Sequence, residues 1–234
     1  RWLERHNQNR EKMATLAVTQ RQHTQKNPLA FFYGTPLTRE DYLNSRMVAH
    51  PFCLYDCDIP VQGAAAIVLT TAERATDLKP KPAYVAGYGQ RLAFEVTGRV
   101  PSLSNYMEAG SSSSSLTWER SGFTAKDVDV AQIYDGFSAS VIYGLESYGF
   151  CGEGEALDFI QDGRIELDGE LPLNTFGGSL GTGRIHGLWH IIEGALQASG
   201  RAGERQVKDV DVSFVGASAP LVEGTTFIFV GDPY

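Results

Sequence analysis

With 234 residues, 42% of them hydrophobic and 21% charged, the chain has enough apolar content to build one or two globular domains. A net charge of −8 argues against a general binder of nucleic acid or anionic membranes. No apolar run approaches the about 20 residues that cross a bilayer.

The opening residues are charged throughout and lack a signal peptide's apolar stretch. The chain starts without Met and inside a helical pattern, as expected of a fragment or a processed polypeptide. Cys53, Cys57 and Cys151 are too few for a disulfide framework, which points to a reducing cytoplasm, and Cys53 and Cys57, without zinc-ligand companions, read as buried small hydrophobes.

In chain order, residues 2–25 predict a helix with Leu3, Met13, Leu16 and Ala17 on its apolar face, broken at Asn27-Pro28. Residues 63–71, nearly all apolar, predict a strand buried on both faces, followed by a short helix over 72–78 and a strand over 83–87. Residues 88–105 read as a loop or cover segment. The serine run 111–115 reads as a low-complexity linker whose end is taken into a helix through Leu116, Trp118 and Arg120. Val128, Val130, Gln132 and Ile133 give a short strand, and a Tyr134-Asp135-Gly136 turn then delivers a helix over 138–148. Strands over 210–215 and 225–230 close the chain.

Between the last helix and those strands lies the most informative stretch, Asn174 to His190. Its five glycines suit neither a helix nor a strand interior, where each costs roughly 0.5–1 kcal/mol relative to Ala. They describe a sharply turning loop that launches a helix marked by Leu188, Ile191, Ile192, Ala195 and Leu196 and stopped at Gly200. Arg184, His186 and His190 then sit at or just inside a helix N-terminus, where backbone N–H groups can hold an anion or a developing oxyanion. A phosphate loop or a plain tight connection is the alternative, although neither G-x-G-x-x-G nor the lysine-bearing phosphate loop is present.

Asn174, Gly177, Gly178, Gly183 and Gly187 fall where thiolases carry Asn-x-x-Gly-Gly…Gly-His-Pro-x-Gly, and the stretch resembles that family. Arg184 occupies the position of the family's catalytic His, with His186 two residues later. Asn27-Pro28, Ser45-Arg46, Asp56-Cys57 and Gly63 to Ala66 resemble the corresponding run in sterol-carrier-type thiolases, with Gln62 in place of Asp. The position of a thiolase's later Cys-Gly-Gly turn, Gly216 to Pro220, has no cysteine.

These changes resemble the lipid-transfer-protein-like aldolases, which cleave steroid side chains from acyl-CoA thioesters. Tyr134 stands where that branch has Tyr-Asp-His-Phe, with Gly136 replacing His, and the branch's second tyrosine falls at Arg184. The resemblance implies an α/β fold of the thiolase-like layered α/β/α type, a mixed sheet with helices. Residues 1–80 would end its N-terminal half and residues 82–234 would form its C-terminal half. It further implies an acyl-CoA-dependent carbon–carbon lyase of retro-aldol type with acid–base chemistry. No cofactor or metal is expected beyond the acyl-CoA substrate. A homodimer and a small OB-fold partner protein are implied.

On this reading Tyr134, Arg184 and His186 are catalytic, and Asn174, Gly177, Gly178 and Gly183 bind substrate. Tyr134 moves the proton, Arg184 lowers its pKa, and His186 assists. From residue type alone, Tyr134 equally suits a hydrogen-bonded core position, His186 a loop-stabilising one, Arg184 a tie from the loop to a carboxylate or a contact to CoA phosphate or a thioester oxygen, and His190 a structural position. A non-catalytic acyl-CoA-binding or partner-stabilising subunit, and an acyltransferase using a Cys outside this chain, are the competing functions.

Overall fold

The computed structural model describes residues 1–92, 103–218 and 223–233, with side chains described from residue 107 onward in the helix that begins at Leu103. Helices are α1 (Trp2–Arg5), α2 (Met13–Thr24), α3 (Arg39–Leu43), α4 (Ala72–Ala75), α5 (Leu103–Ser121), α6 (Ser138–Ser147), α7 (Ala156–Phe159), α8 (Gly178–Thr182) and α9 (Leu188–Ala198). Strands are β1 (Met47–Ala49), β2 (Phe52–Cys53), β3 (Tyr84–Leu92), β4 (Val130–Ile133), β5 (Val212–Gly216) and β6 (Glu223–Val230). Among the described residues no helix is long and apolar enough to cross a membrane.

The main sheet runs β3-β6-β5-β4, antiparallel except for the β4–β5 pair. Strand alternation splits its side chains between two cores. Phe214, Ile228 and Val230 join Ile133, Leu145 and Tyr148 in the larger core, while Val215 and Phe229 join Ala198 and Ala217 in the smaller one. Helix α5 lies on β3 and β6, and α9 lies on β4, β5 and β6. The result is the layered mixed α/β arrangement expected from the sequence.

Several local expectations are corrected. The predicted first helix is two helices separated by a 3₁₀ turn at Arg10–Lys12. The serine run is not a linker but the middle of α5. Its two buried members, Ser113 and Ser114, are small and let the helix approach the sheet closely, with Thr117 Oγ1 hydrogen-bonded to Thr226 Oγ1 at 2.7 Å. Part of the expected 88–105 loop belongs to β3, and residues 93–102 lie outside the described residues.

Residues 63–71 are not a buried strand. Among the described residues they join no sheet, and Val68 and Leu69 are 88% and 83% exposed. The face of α9 that packs inward joins polar groups to Ala198, with Ile191 and Ala195 against the smaller core. His190, Glu193, Gly194 and Gln197 are buried, whereas Leu188, Ile192 and Leu196 are only half-buried.

Candidate functional site

Strand β4 ends at Ile133, and Tyr134 to Phe137 make the turn into α6. Asn174 fixes this exit. It has a φ of +51° and is fully buried. Its Oδ1 accepts the Ile133 N–H at 2.7 Å, and its Nδ2 donates to the Ile133 carbonyl at 2.8 Å. Both atoms of the amide expected to bind substrate are thus engaged with strand backbone that would otherwise be buried unpaired.

Asp135 is the hub of the loop. Its carboxylate accepts the Ser179 N–H at 2.7 Å and the Leu180 N–H at 3.1 Å, and His190 Nε2 lies 3.0 Å from Oδ1. Both Asp135 and His190 are fully buried. The amides beneath the glycine loop, expected to serve an external anion, are at α8 occupied by the protein's own carboxylate. Two glycines permit this closeness. Gly178 has φ +64°, and a Cβ there would fall 2.0 Å from Asp135 Oδ2. Gly183 has φ +110°, and its Cβ would fall 2.5 Å from Val61 Cγ1. Gly177 turns the chain into α8 against Thr24. All three are pressed against protein.

Tyr134 is 6% exposed, and its ring leans on that of His190 with centroids 5.6 Å apart. The phenol also covers Gly136, where an added Cβ would come within 3.0 Å of the hydroxyl oxygen, so a side chain at 136 would contend with it. Burial, then the charge of Asp58, pushes the phenol up to about 12, against a smaller opposing pull from Arg184. The expected direction is therefore corrected. Arg184 does pull the phenol down, but desolvation and the nearby carboxylates outweigh it.

Arg184 Nη1 lies 3.3 Å from Asp58 Oδ1 and is partly exposed. His186, with φ +48°, is exposed at the rim, close enough for its charge to act on Asp58. The three expected catalytic residues thus gather around a carboxylate, Tyr134 buried, Arg184 half-buried and His186 exposed. Sequence reasoning passed over Asp135 as a turn residue and treated His190 as structural. The only local sign was a carboxylate next to Tyr134 and a histidine on the helix just after the loop.

Beneath the site, Glu193 accepts from Thr175 Oγ1 at 2.8 Å and pairs with Arg205 at 2.9 Å, while the Thr175 N–H donates to Gln132 Oε1. This network ties the loop after Asn174 to β4 and α9. Among the described residues no three His, Cys, Asp or Glu side chains converge as metal ligands.

On the α2 side, His23 faces the Asn174 carbonyl through Nδ1 at 3.3 Å, and burial lowers its pKa from 6.5 to about 4. An imidazole depressed in the folded state takes its proton more readily when unfolded. Its contribution is therefore fully present above the unfolded value and is lost as pH falls toward the folded one. We expect stability to decline below about pH 6.5, by at most about 1.4 kcal/mol per unit from this group. Urea unfolding of wild type and His23→Gln between neutral pH and about pH 5 checks this. The variant should show the flatter decline, and equal slopes would rule the account out.

The comparisons with known proteins follow the same lines. A family model described as thiolase C-terminal domain-like matches residues 92–230. The chain is 44% identical over 189 residues to the 17-hydroxy-3-oxo-4-pregnene-20-carboxyl-CoA lyase of Mycobacterium tuberculosis, a match covering 79% of this chain and 49% of that one. It is 38% identical over 204 residues to the steroid side-chain-cleaving aldolase of Thermomonospora curvata, covering 82% and 50%. The solved Ltp2-ChsH2(DUF35) aldolase superposes with a TM-score of 0.85 at 30% identity, over 100% of this chain and 61% of that one. A monomeric SCP2-thiolase-like protein type 1 from Mycobacterium smegmatis shares the fold, with a TM-score of 0.73 at 18% identity over 100% and 49%. The chain spans about half the length of the curated relatives it matches. With its matched stretch filling more than half of its length, the chain belongs to the thiolase C-terminal domain-like family.

Proposed function

We propose that the protein is an acyl-CoA-dependent carbon–carbon lyase of retro-aldol type, acting in steroid or lipid side-chain degradation by acid–base rather than covalent chemistry. The observation that carries this is the cluster of Tyr134, Arg184 and His186 around Asp58, beneath a glycine loop locked by Asp135. The names and identities of the lyase and aldolase relatives support it.

A retro-aldol step takes the proton from a β-hydroxyl, breaks the bond between the α and β carbons, and leaves a carbonyl compound and an enolate thioester. The enolate must then be protonated. His186 at the rim is the base for the hydroxyl. Arg184 supplies donors to the thioester oxygen as charge develops there. Tyr134, held protonated through neutral pH, returns a proton to the enolate. No cofactor is required beyond the acyl-CoA substrate itself.

Residues 1–80 and 82–234 would belong to successive thiolase-like halves of a homodimeric cytoplasmic enzyme. The two-component name of the solved relative supports a partner protein, which we take to be a small OB-fold one. The test is to assay the protein, co-purified with its partner, on a β-hydroxyacyl-CoA steroid. Release of a keto-steroid and a shortened acyl-CoA without consumption of free CoA is expected. Cleavage that requires free CoA would point to an acyltransferase, and binding without cleavage to a non-catalytic subunit.

A further inference from the structure

Asp58 belongs to neither the glycine loop nor the Tyr-Asp-Gly turn, yet both close on it. The run from Cys57 to Val61 is stitched between them. The Asp58 N–H donates to the Gly136 carbonyl at 3.2 Å, and the Arg184 N–H donates to the Ile59 carbonyl at 2.9 Å. The side chains repeat this link through the 3.3 Å Arg184–Asp58 pair, in which the Asp58 side chain is only 6% exposed. Asp58 Oδ2 is buried with no hydrogen-bond partner among the described residues. A carboxylate so placed cannot rely on water to screen it, so it acts on its neighbours at close range.

Those neighbours can be named. Arg184, Asp135 and His186 act on Asp58, and Cys57 adjoins it. Asp58, Asp135 and Arg184 act on Tyr134, whose ring also meets His190. Left to itself, the Arg184 guanidinium, on a long and partly exposed arm, would be free to swing into solvent. We propose that Asp58 is a positioning residue of the active site, clamping the Arg184 guanidinium beside the Tyr134 phenol so that both face the same reacting group. This deepens the lyase reading and rests on it.

A second effect follows from the same geometry. The negative charge of Asp58 offsets the pull of Arg184, keeping the phenol protonated when it has a proton to give.

The test compares Asp58→Asn, Tyr134→Phe and the double variant in the full chain. Ultraviolet titration of phenolate needs no turnover. Asp58→Asn should bring one of the ten tyrosines down by up to about one pH unit, the lost carboxylate outweighing the lost pull of the released guanidinium, a signal absent from the double variant and from wild type. In turnover, Asp58→Asn should lower kcat about tenfold with KM nearly unchanged, less than the about 10²–10³-fold loss of a transition-state donor itself. Asp58→Glu, which keeps the charge, should recover most of the shift. If Asp58→Asn does not fold, Arg184→Ala decides. Added guanidinium, seated by Asp58, should restore part of its turnover, and failure to do so overturns the clamp. An Asp58→Asn protein that melts like wild type with unchanged phenolate titration and kcat also overturns it. If wild type performs no retro-aldol cleavage, the lyase reading fails by itself, and the phenolate titration still judges Asp58.

Discussion

Tyr134→Phe is expected to lower the rate of retro-aldol release by about 10²–10⁴-fold, the range contributed by a positioned proton donor. The substitution removes one oxygen and leaves the packing intact, because the phenyl ring still leans on His190 and still covers Gly136. Burial and the Asp58 charge hold the native phenol protonated, so the hydroxyl is suited to give a proton and poorly suited to take one. The loss should therefore fall on kcat, with little change in KM and a melting temperature within a few degrees of wild type. Steady-state kinetics beside a thermal melt measure both. Undiminished turnover in a folded Tyr134→Phe protein would remove Tyr134 from the mechanism.

The largest stability effect is expected at Asp135. The carboxylate accepts the Ser179 and Leu180 N–H groups and faces His190 Nε2, all fully enclosed. Asp135→Asn keeps the shape but replaces one acceptor oxygen with a donor, which must then confront a donor on one side or the other. Leaving a buried amide N–H without its acceptor costs about 1–3 kcal/mol, and more when the lost acceptor is a charged group. A loss of about 3 kcal/mol in denaturant unfolding is expected. Activity should fall as well, since the glycine loop is seated by this side chain. A loss below about 1 kcal/mol would mean that the carboxylate is not what holds α8 in place.

Patterns carried by neighbouring residues were legible in the sequence. The Tyr-Asp-Gly turn into α6, the glycine loop ahead of α9, and the closing strands β5 and β6 all follow from local periodicity and punctuation. What the sequence concealed depends on contacts between distant residues. Asp135 meets α8 and His190 across 44 to 55 positions. Nothing local separates it from an ordinary turn aspartate. The serines of α5 look like a linker until the sheet they lie against is known. The cation at Arg184 suggested a phenol of lowered pKa, because burial and the carboxylate at Asp58 cannot be read from spacing. For α9, the apolar spacing marks a helix but not what its buried face carries. That face carries, beside Ala198, the polar groups that tie the helix to the loop after Asn174.

An apolar run reports that a segment favours neighbours on both sides; it does not supply them. Residues 63–70 form no backbone hydrogen bond among the described residues, and Val68 and Leu69 stand almost fully in water. Bare amides and carbonyls beside branched aliphatic side chains are a template on which any other extended peptide can lay itself. In a concentrated preparation of this polypeptide alone, association would therefore begin at Val68 and Leu69, and Val68→Lys would improve solubility.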